Sequence, residues 1–223
     1  MNHLNVNPLQ VETTINPRSS QGDCAEVLAD IYQDDVNISI WQRTLSSELL
    51  HAAERILKLK YAFRFSASVT PKDVFDSLNT ALGANTESAV ISADIAEIVA
   101  MFCCLFDLQQ VGLRLTTLDR AMCPKFHVDR VPCRLATTYS GIATEWLLHE
   151  DVDRAKLGIG IPGKSDEESG VYNDPSQVHQ LTAGDIALLK GESWLGNEGC
   201  GLVHRSPNLV NPNKRLLLTL DFN

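Results

Sequence analysis

From about Val111 onward the sequence breaks into short stretches in which apolar and polar residues alternate, and each stretch is closed by Gly, Pro, Asn or Asp. Alternation at period two marks strands, and many short strands divided by turn signals pack as an antiparallel sandwich or barrel. Val111, Leu113 and Leu115 alternate. The stretches 134–139 and 144–148 read as strands on either side of the Ser140-Gly141 turn. Val178 to Leu181 and Ile186 to Lys190 flank the tight turn Ala183-Gly184-Asp185. The last two strands, 202–206 and 215–222, are joined by the Asn/Pro-rich 207–213. Residues 149–177, charged and rich in Gly, Ser, Asp and Pro, read as a loop insertion.

The first half has another character. A polar stretch with Pro8 and Pro17 over 1–22 predicts a loose arm, and 24–33 a short helix. Val36, Ile38 and Ile40 alternate as a strand, and Leu49, Leu50, Ala53, Ile56 and Leu57 space a helix over 45–59. Tyr61, Phe63 and Phe65 predict a strand. Thr70-Pro71 opens a helix with Thr70 as cap, ending near Gly83. A further helix runs from Asp94 with Ile95, Ile98, Val99, Phe102, Leu105 and Phe106 on one face. The expected organisation is α+β: an arm (1–22), a mainly helical region (23–110) and a strand-rich core (111–223), together one compact domain.

With 44% hydrophobic and 21% charged residues, the chain can bury a core. A formal charge of -9 argues against a nucleic-acid partner, which needs clustered Lys and Arg. The first residues lack the basic segment and apolar run of a signal peptide, and no stretch reads as long enough to cross a bilayer. The expectation is a cytoplasmic protein whose six scattered cysteines are thiols, with Cys103-Cys104 buried in a helix.

The chemistry concentrates at Phe126-His127-Val128-Asp129, between Cys123-Pro124 and Pro132-Cys133. On an extended chain residues two apart point to the same side, so His127 and Asp129 can act together. With a second His they make the facial ligand set of a non-heme iron site. Another His-x-Asp, His149-Glu150-Asp151, begins a charged segment and reads as a solvated strand end. Asp129 lies among apolar and Pro residues, where a carboxylate needs a partner. A metal would serve, as would Arg130 or Arg134. The second His is His204, and Arg215 follows eleven positions later. Antiparallel pairing of their strands brings Arg215 back beside His204. A buried Arg needs an anion, and its fork fits a carboxylate. A metal beside it suits a ligand that chelates at one end and carries a carboxylate at the other, as 2-oxoglutarate does. The other reading of Arg215 is a salt bridge to Asp221 or Glu145. Cys123 and Cys200 each stand four residues before one of these histidines. Two thiolates and two imidazoles would favour zinc, in a metal-holding or sensing domain. Trp194 could border a substrate mouth, and the acidic residues 166–168 read either as a solvated loop or as repelling anionic substrates.

His-x-Asp, a long gap, then His with an Arg about ten residues on resembles the iron(II)/2-oxoglutarate-dependent oxygenases of the double-stranded β-helix (jelly-roll, cupin-like) fold. Tyr139, Gly141 and Thr144-Glu145-Trp146-Leu147 after the first motif, and Gly184 to Leu189 before the distal His, strengthen the likeness, which covers roughly 111–222. The segments 123–132 and 144–147 also resemble a bacterial family of uncharacterised function. The first resemblance implies a double-stranded β-helix C-terminal half with a mainly helical N-terminal half packed on it. It implies His127, Asp129 and His204 as ligands of Fe(II), and Arg215 on the distal carboxylate of 2-oxoglutarate, with Tyr139 or Lys190 adding a contact. It further implies hydroxylation or demethylation of a small-molecule or protein substrate. Position 217, often a small polar residue in these oxygenases, is Leu here. The competing expectation is a cupin-like metalloprotein holding zinc or iron without 2-oxoglutarate, as a regulator or a non-oxidative enzyme.

Overall fold

The computed structural model describes residues 16–157, 164–210 and 213–223. The expected arm therefore lies outside the described residues as far as position 15. Its last part is not loose: β1 (Arg18–Gly22) pairs in parallel with β2 (Val36–Trp41). A 3-10 helix, Ala25–Tyr32, makes the crossover and buries Leu28 and Ile31.

Helix α1 (Ser47–Leu57) starts at Ser46, whose hydroxyl accepts from the Leu49 amide, and turns Ala52, Ala53 and Ile56 inward. Strand β3 (Arg64–Val69) begins three residues later than the aromatic alternation predicts, leaving Tyr61 76% exposed. Helix α2 (Val74–Ala81) is capped by Asp73 rather than Thr70. The Asp73 carboxylate accepts from the Thr70 amide at 2.9 Å, so the Thr-Pro signal marks a turn just before the helix.

Helix α3 (Thr86–Phe106) begins eight residues before Asp94, because Asn85 and Ser88 satisfy each other's amides in a capping box. Its 21 residues contain an 18-residue window with a mean hydropathy of 2.1, long and apolar enough to span a bilayer, which corrects the expectation that no stretch is. In this structure the helix is a core element, with Ile91, Ile95, Ile98, Val99 and Phe102 buried.

The second half supplies β4 (Val111–Leu118), β5 (Cys133–Ser140), β6 (Glu145–Leu147), β7 (His179–Gln180), β8 (Ile186–Lys190), β9 (Val203–Arg205) and β10 (Arg215–Phe222). Seven strands form a large sheet in the order β1-β2-β8-β5-β10-β4-β3, antiparallel except at β1–β2. A small antiparallel sheet runs β7-β6-β9. The sequence on both sides of position 110 thus builds one sheet.

The large sheet has a layer on each face. Leu135, Leu188, Leu216, Leu218 and Leu220 pack against the helices. Ala136, Ala187 and Leu189, on the other face, pack with Trp146 of the small sheet and with Leu181 and Leu202. Each fully buried Leu contributes roughly 1.5–3 kcal/mol. Strand β10 has both edges paired, to β5 and β4, and lies between the two layers, so residues 215–220 are all buried. Leu216, Leu218 and Leu220 take the helix side. Arg215, Leu217 and Thr219 alternate onto the side of the small sheet, where the candidate site is built.

Candidate metal centre

His127 and His204 sit directly opposite each other on an antiparallel bridge. Each amide donates to the other's carbonyl, at 3.1 and 3.0 Å. The bridge adds the 127 segment to the small sheet beside β9, and the two ring centroids are 4.6 Å apart. Asp129, two residues on, turns to the same side. One ligand atom from each of His127, Asp129 and His204 lies within 4.8 Å of the other two.

The backbone sets the direction of both rings. Nδ1 of His127 is 2.9 Å from the Lys125 carbonyl, and Nδ1 of His204 is 3.3 Å from that of Leu202. A carbonyl only accepts, so each Nδ1 carries the proton and each Nε2 is left with a free lone pair, as in metal-ligating histidines. The Nε2 atoms stand 3.8 and 3.4 Å from the two Asp129 oxygens. His204 is 7% exposed, while the His127 side chain is 31% exposed, so the cluster opens on the His127 side.

Charge at the cluster is fixed by its neighbours. Burial pushes the Asp129 carboxyl up, but His204, Arg134 and His127 outweigh it and bring it down to about 2. Burial, followed by His204, holds His127 below its ordinary value. An ionised carboxylate and a neutral imidazole are the protonation states a metal ion requires. Of the two arginines offered by the sequence, Arg134 is the partner of Asp129, at 2.7 Å, and it also grips Asp221 at 2.7 and 3.0 Å.

Arg215 is 1% exposed. One terminal nitrogen donates to the Ser206 hydroxyl at 3.1 Å, while Nε and the other terminal nitrogen have no partner. The salt bridges open to it from sequence are not made: Asp221 pairs with Arg134, and Glu145 with Arg205 at 2.6 Å. Burial lowers its pKa to about 10, against the opposing pull of Cys123 and Glu145. Arg215, Ser206, Thr219 and Leu217 line one cavity with His127 and His204. Leu217 leaves no hydroxyl two residues after the arginine, and Ser206 provides one instead. It stands two residues after His204, hence on the same side of the strand, a signal the sequence reading missed.

Tyr139 and Lys190 do not join this cavity. Both have the parity of Leu135 and Leu188, which face the helices. The Tyr139 hydroxyl donates to Asp94 of α3 at 2.5 Å, and Asp94 also holds Arg43 at 2.7 Å. Lys190 donates to the Gln33 carbonyl at 2.9 Å beneath the Trp194 ring. Trp194 itself packs on Tyr32 and Phe106, on the helix side and not at a mouth of the site. All six cysteines are free thiols, and Cys104 is exposed rather than buried. Cys123 lines the cavity, but its sulfur is not among the converging ligand atoms. Nor is that of Cys200, whose carbonyl accepts from Asn37. His149 and Asp151 sit in a 3-10 turn and look to Arg154 and Gln177 respectively.

The loop insertion lies outside the described residues over 158–163 and is well anchored beyond them. Asp166 is not solvated: at 4% exposure it accepts from the Phe126 amide and from Arg205, both at 3.0 Å. Val171 and Tyr172 pack with Phe126, Leu147 and Val203, so this loop forms one wall behind the His127 strand. On the other side the loop after β8 closes on the backbone of 129–132. Its amides at Gly191 and Glu192 donate to the carbonyls of Pro132 and Asp129. A side chain at Gly191 would collide with the carbonyl oxygens of Val131 and Asp129, so glycine permits this approach.

Comparison with solved structures finds a similar fold in a dioxygenase. A dioxygenase for auxin oxidation from rice matches with a TM-score of 0.51 and 12% identity, over 93% of this chain and 83% of the other. A prolyl-4-hydroxylase from Pseudomonas putida matches with a TM-score of 0.44 and 12% identity, over 89% and 97%. HygX of Streptomyces hygroscopicus, with nickel and 2-oxoglutarate bound, matches with a TM-score of 0.43 and 12% identity, over 88% and 85%. At these identities the likeness is one of fold. No curated protein matches by sequence. The sequence does match, over residues 22–221, a family described as protein of unknown function (DUF1826), and the chain belongs to that family.

Proposed function

We propose that this chain is an iron(II)- and 2-oxoglutarate-dependent oxygenase, and that its large and small sheets form a double-stranded β-helix around the site. The observation that carries this reading is Arg215. A guanidinium this deeply buried, with two unpartnered nitrogens and no carboxylate, calls for an anion, because a buried uncompensated charge is strongly unfavourable. It shares a cavity with His127 and His204, whose free ligand atoms converge with a carboxylate oxygen of Asp129. The nitrogen–nitrogen–oxygen set fits ferrous iron, with no sulfur in it to favour zinc.

His127, Asp129 and His204 would hold the metal, and Arg215 with Ser206 would hold the distal carboxylate of 2-oxoglutarate. Iron(II) with 2-oxoglutarate and O2 supplies the oxidation of a substrate C–H bond. The chain's own contribution is placement. Lys125 and Leu202 aim the imidazoles, Arg134 fixes the Asp129 carboxylate, and the apolar wall of Leu189, Ala136 and Leu217 keeps the cavity dry.

The test is anaerobic addition of iron(II) and then 2-oxoglutarate. Wild type should develop the metal-to-ligand charge-transfer band and, on exposure to air, form succinate. His127→Ala should lose stoichiometric iron. Arg215→Ala should keep iron and bind 2-oxoglutarate on the order of 100-fold more weakly, the scale of removing one partner of a buried charge pair. Absence of both band and succinate in wild type rules the reading out, as does unchanged 2-oxoglutarate binding in Arg215→Ala.

A further inference from the structure

The unpartnered polar atoms of the interior are not scattered. Among the described residues seven sealed side-chain nitrogen and oxygen atoms lack a hydrogen bond. Five of them belong to Arg114, Thr116, Thr219 and Arg215. These four residues lie on one face of two neighbouring strands, β4 and β10. Thr219 pairs with Arg114 and Leu217 with Thr116 in the antiparallel register, and paired residues share a face. Arg215 is accounted for by 2-oxoglutarate in the reading above. Arg114, Thr116 and Thr219 are not.

The same face continues onto β3, where Ser66 pairs with Arg114 and Ser68 with Gly112. The small sheet does not cover this end. Ser66 and Ser68 are exposed, Arg114 is half-buried, and Thr219 is 8% exposed. A trough of polar side chains on this one face therefore runs from the outer edge at β3, across β4, to Thr219, which lines the metal cavity. At its outer end is a cavity of about 240 Å³ lined by Ser66, Ser68, Gly112, Arg114 and Asp221, parted from the metal cavity by the Arg134–Asp221 pair. Gly112 forms its floor, where a Cβ would still lie in ordinary contact, so glycine leaves depth there without being required by its backbone.

Two charges line this cavity, and only one is neutralised. Asp221 is held by both sides of the Arg134 fork. Arg114 makes no salt bridge and no hydrogen bond among the described residues, and its Nε is sealed from water. Its terminal nitrogens, with the hydroxyl of Ser66 on the paired strand, form a donor set for anionic oxygens. Its backbone stands one strand spacing, roughly 4.8 Å, beyond Thr219.

We infer that this trough is the substrate subsite, and that Arg114 is its specificity-determining residue. It takes a small molecule carrying a carboxylate or phosphate group, anchored at Arg114 with its reacting carbon reaching past Thr219 to the metal. This rests on the oxygenase reading for the word substrate. The anion site itself rests on Arg114 alone.

The experiment uses the full chain under nitrogen with iron(II) and saturating 2-oxoglutarate, so that Arg215 is occupied. Inorganic phosphate and acetate are titrated calorimetrically into wild type, Arg114→Ala and Arg114→Lys. One site is expected in wild type, and the tighter of the two probes identifies the anion. In Arg114→Ala the Kd should rise at least about tenfold, the loss of a charge-assisted contact. Arg114→Lys should recover part of the affinity. The charge-transfer band should stay unchanged in both variants, which also shows that they are folded. The inference is overturned if wild type shows the band but binds neither probe, or if Arg114→Ala binds them as wild type does. Without any band, anion binding that still depends on Arg114 would retain this site while removing the oxygenase reading.

Discussion

A single carboxylate shows how the site is balanced. Asp129 would be raised by its burial, yet it is held at about 2 by His204, Arg134 and His127, against 3.8 ordinarily. A carboxylate depressed in the folded state adds stability that is complete above its ordinary value and vanishes as the pH falls through the folded one. For the metal-free protein that window runs from about pH 4 down to about pH 2, and the contribution is about 2 kcal/mol. Urea unfolding of the metal-free chain at pH 5 and pH 2.5 should therefore show a drop that Asp129→Asn reduces by most of that amount. An identical drop in the variant would mean that Asp129 is not held down. The residue types were legible in the sequence: His127, Asp129 and His204 are brought together, and Arg215 lines one cavity with the two histidines. The choice of Arg134 over Arg130 as partner was not, because both are near in sequence and only the path of 129–134 decides between them. Ser206 had a signal, its spacing from His204, whereas Arg114 had none, being one polar residue in an alternating strand.

At the scale of elements, each departure arises where apolar patterning does not carry the structure. Tyr139 and Lys190 were expected beside the cofactor, yet β5 and β8 are buried on both faces, so alternation marks them as strands without saying which side faces which layer. The start of α3 was misplaced because Asn85 and Ser88 carry the cap while the apolar periodicity becomes obvious only later. Strand β1 was missed because its pattern, Arg-Ser-Ser-Gln-Gly, contains no apolar residue; it is held by backbone pairing to β2 at the sheet edge. What the turns do for the site is testable at Gly191. Adding a methyl group there forces apart the loop after β8 and the backbone of Asp129 and Val131. Gly191→Ala should cost about 1–3 kcal/mol in denaturant unfolding, the usual scale of overpacking, and should weaken metal binding with it. Unchanged stability would mean that the two segments have room to move apart.

The molecule as a whole brings together residues that the chain keeps far apart, and the sequence says least at this scale. His127 meets His204 through one bridge, and Arg215 is left without a carboxylate because Asp221 lies roughly 20 Å along the same strand on Arg134, and Glu145 is held by Arg205. That exclusion depends on the register of both sheets at once, so no local pattern reveals it. The same holds for the insertion after β6, which its composition marks as a solvated loop. Asp166 instead lies 4% exposed between the Phe126 amide and Arg205, and Arg205 in turn stacks over the Phe126 ring at 4.2 Å and holds Glu145. One buried carboxylate thus ties the insertion, β6, β9 and the strand carrying His127 into a single wall. Asp166→Asn removes the charge and keeps the shape. Arg205 retains Glu145, so the loss should be smaller than the roughly 3–5 kcal/mol of a fully broken buried pair, on the order of 1–3 kcal/mol. The informative readout is local. Hydrogen exchange at the Phe126 amide, which donates to Asp166, and at the Val171 amide, which donates to its carbonyl, should quicken. Exchange at Leu216, Leu218 and Leu220 in the centre of the large sheet should stay as slow as in wild type. If all these sites quicken equally, the insertion is part of the cooperative core. If none does, Asp166 is not what holds the wall to the His127 strand.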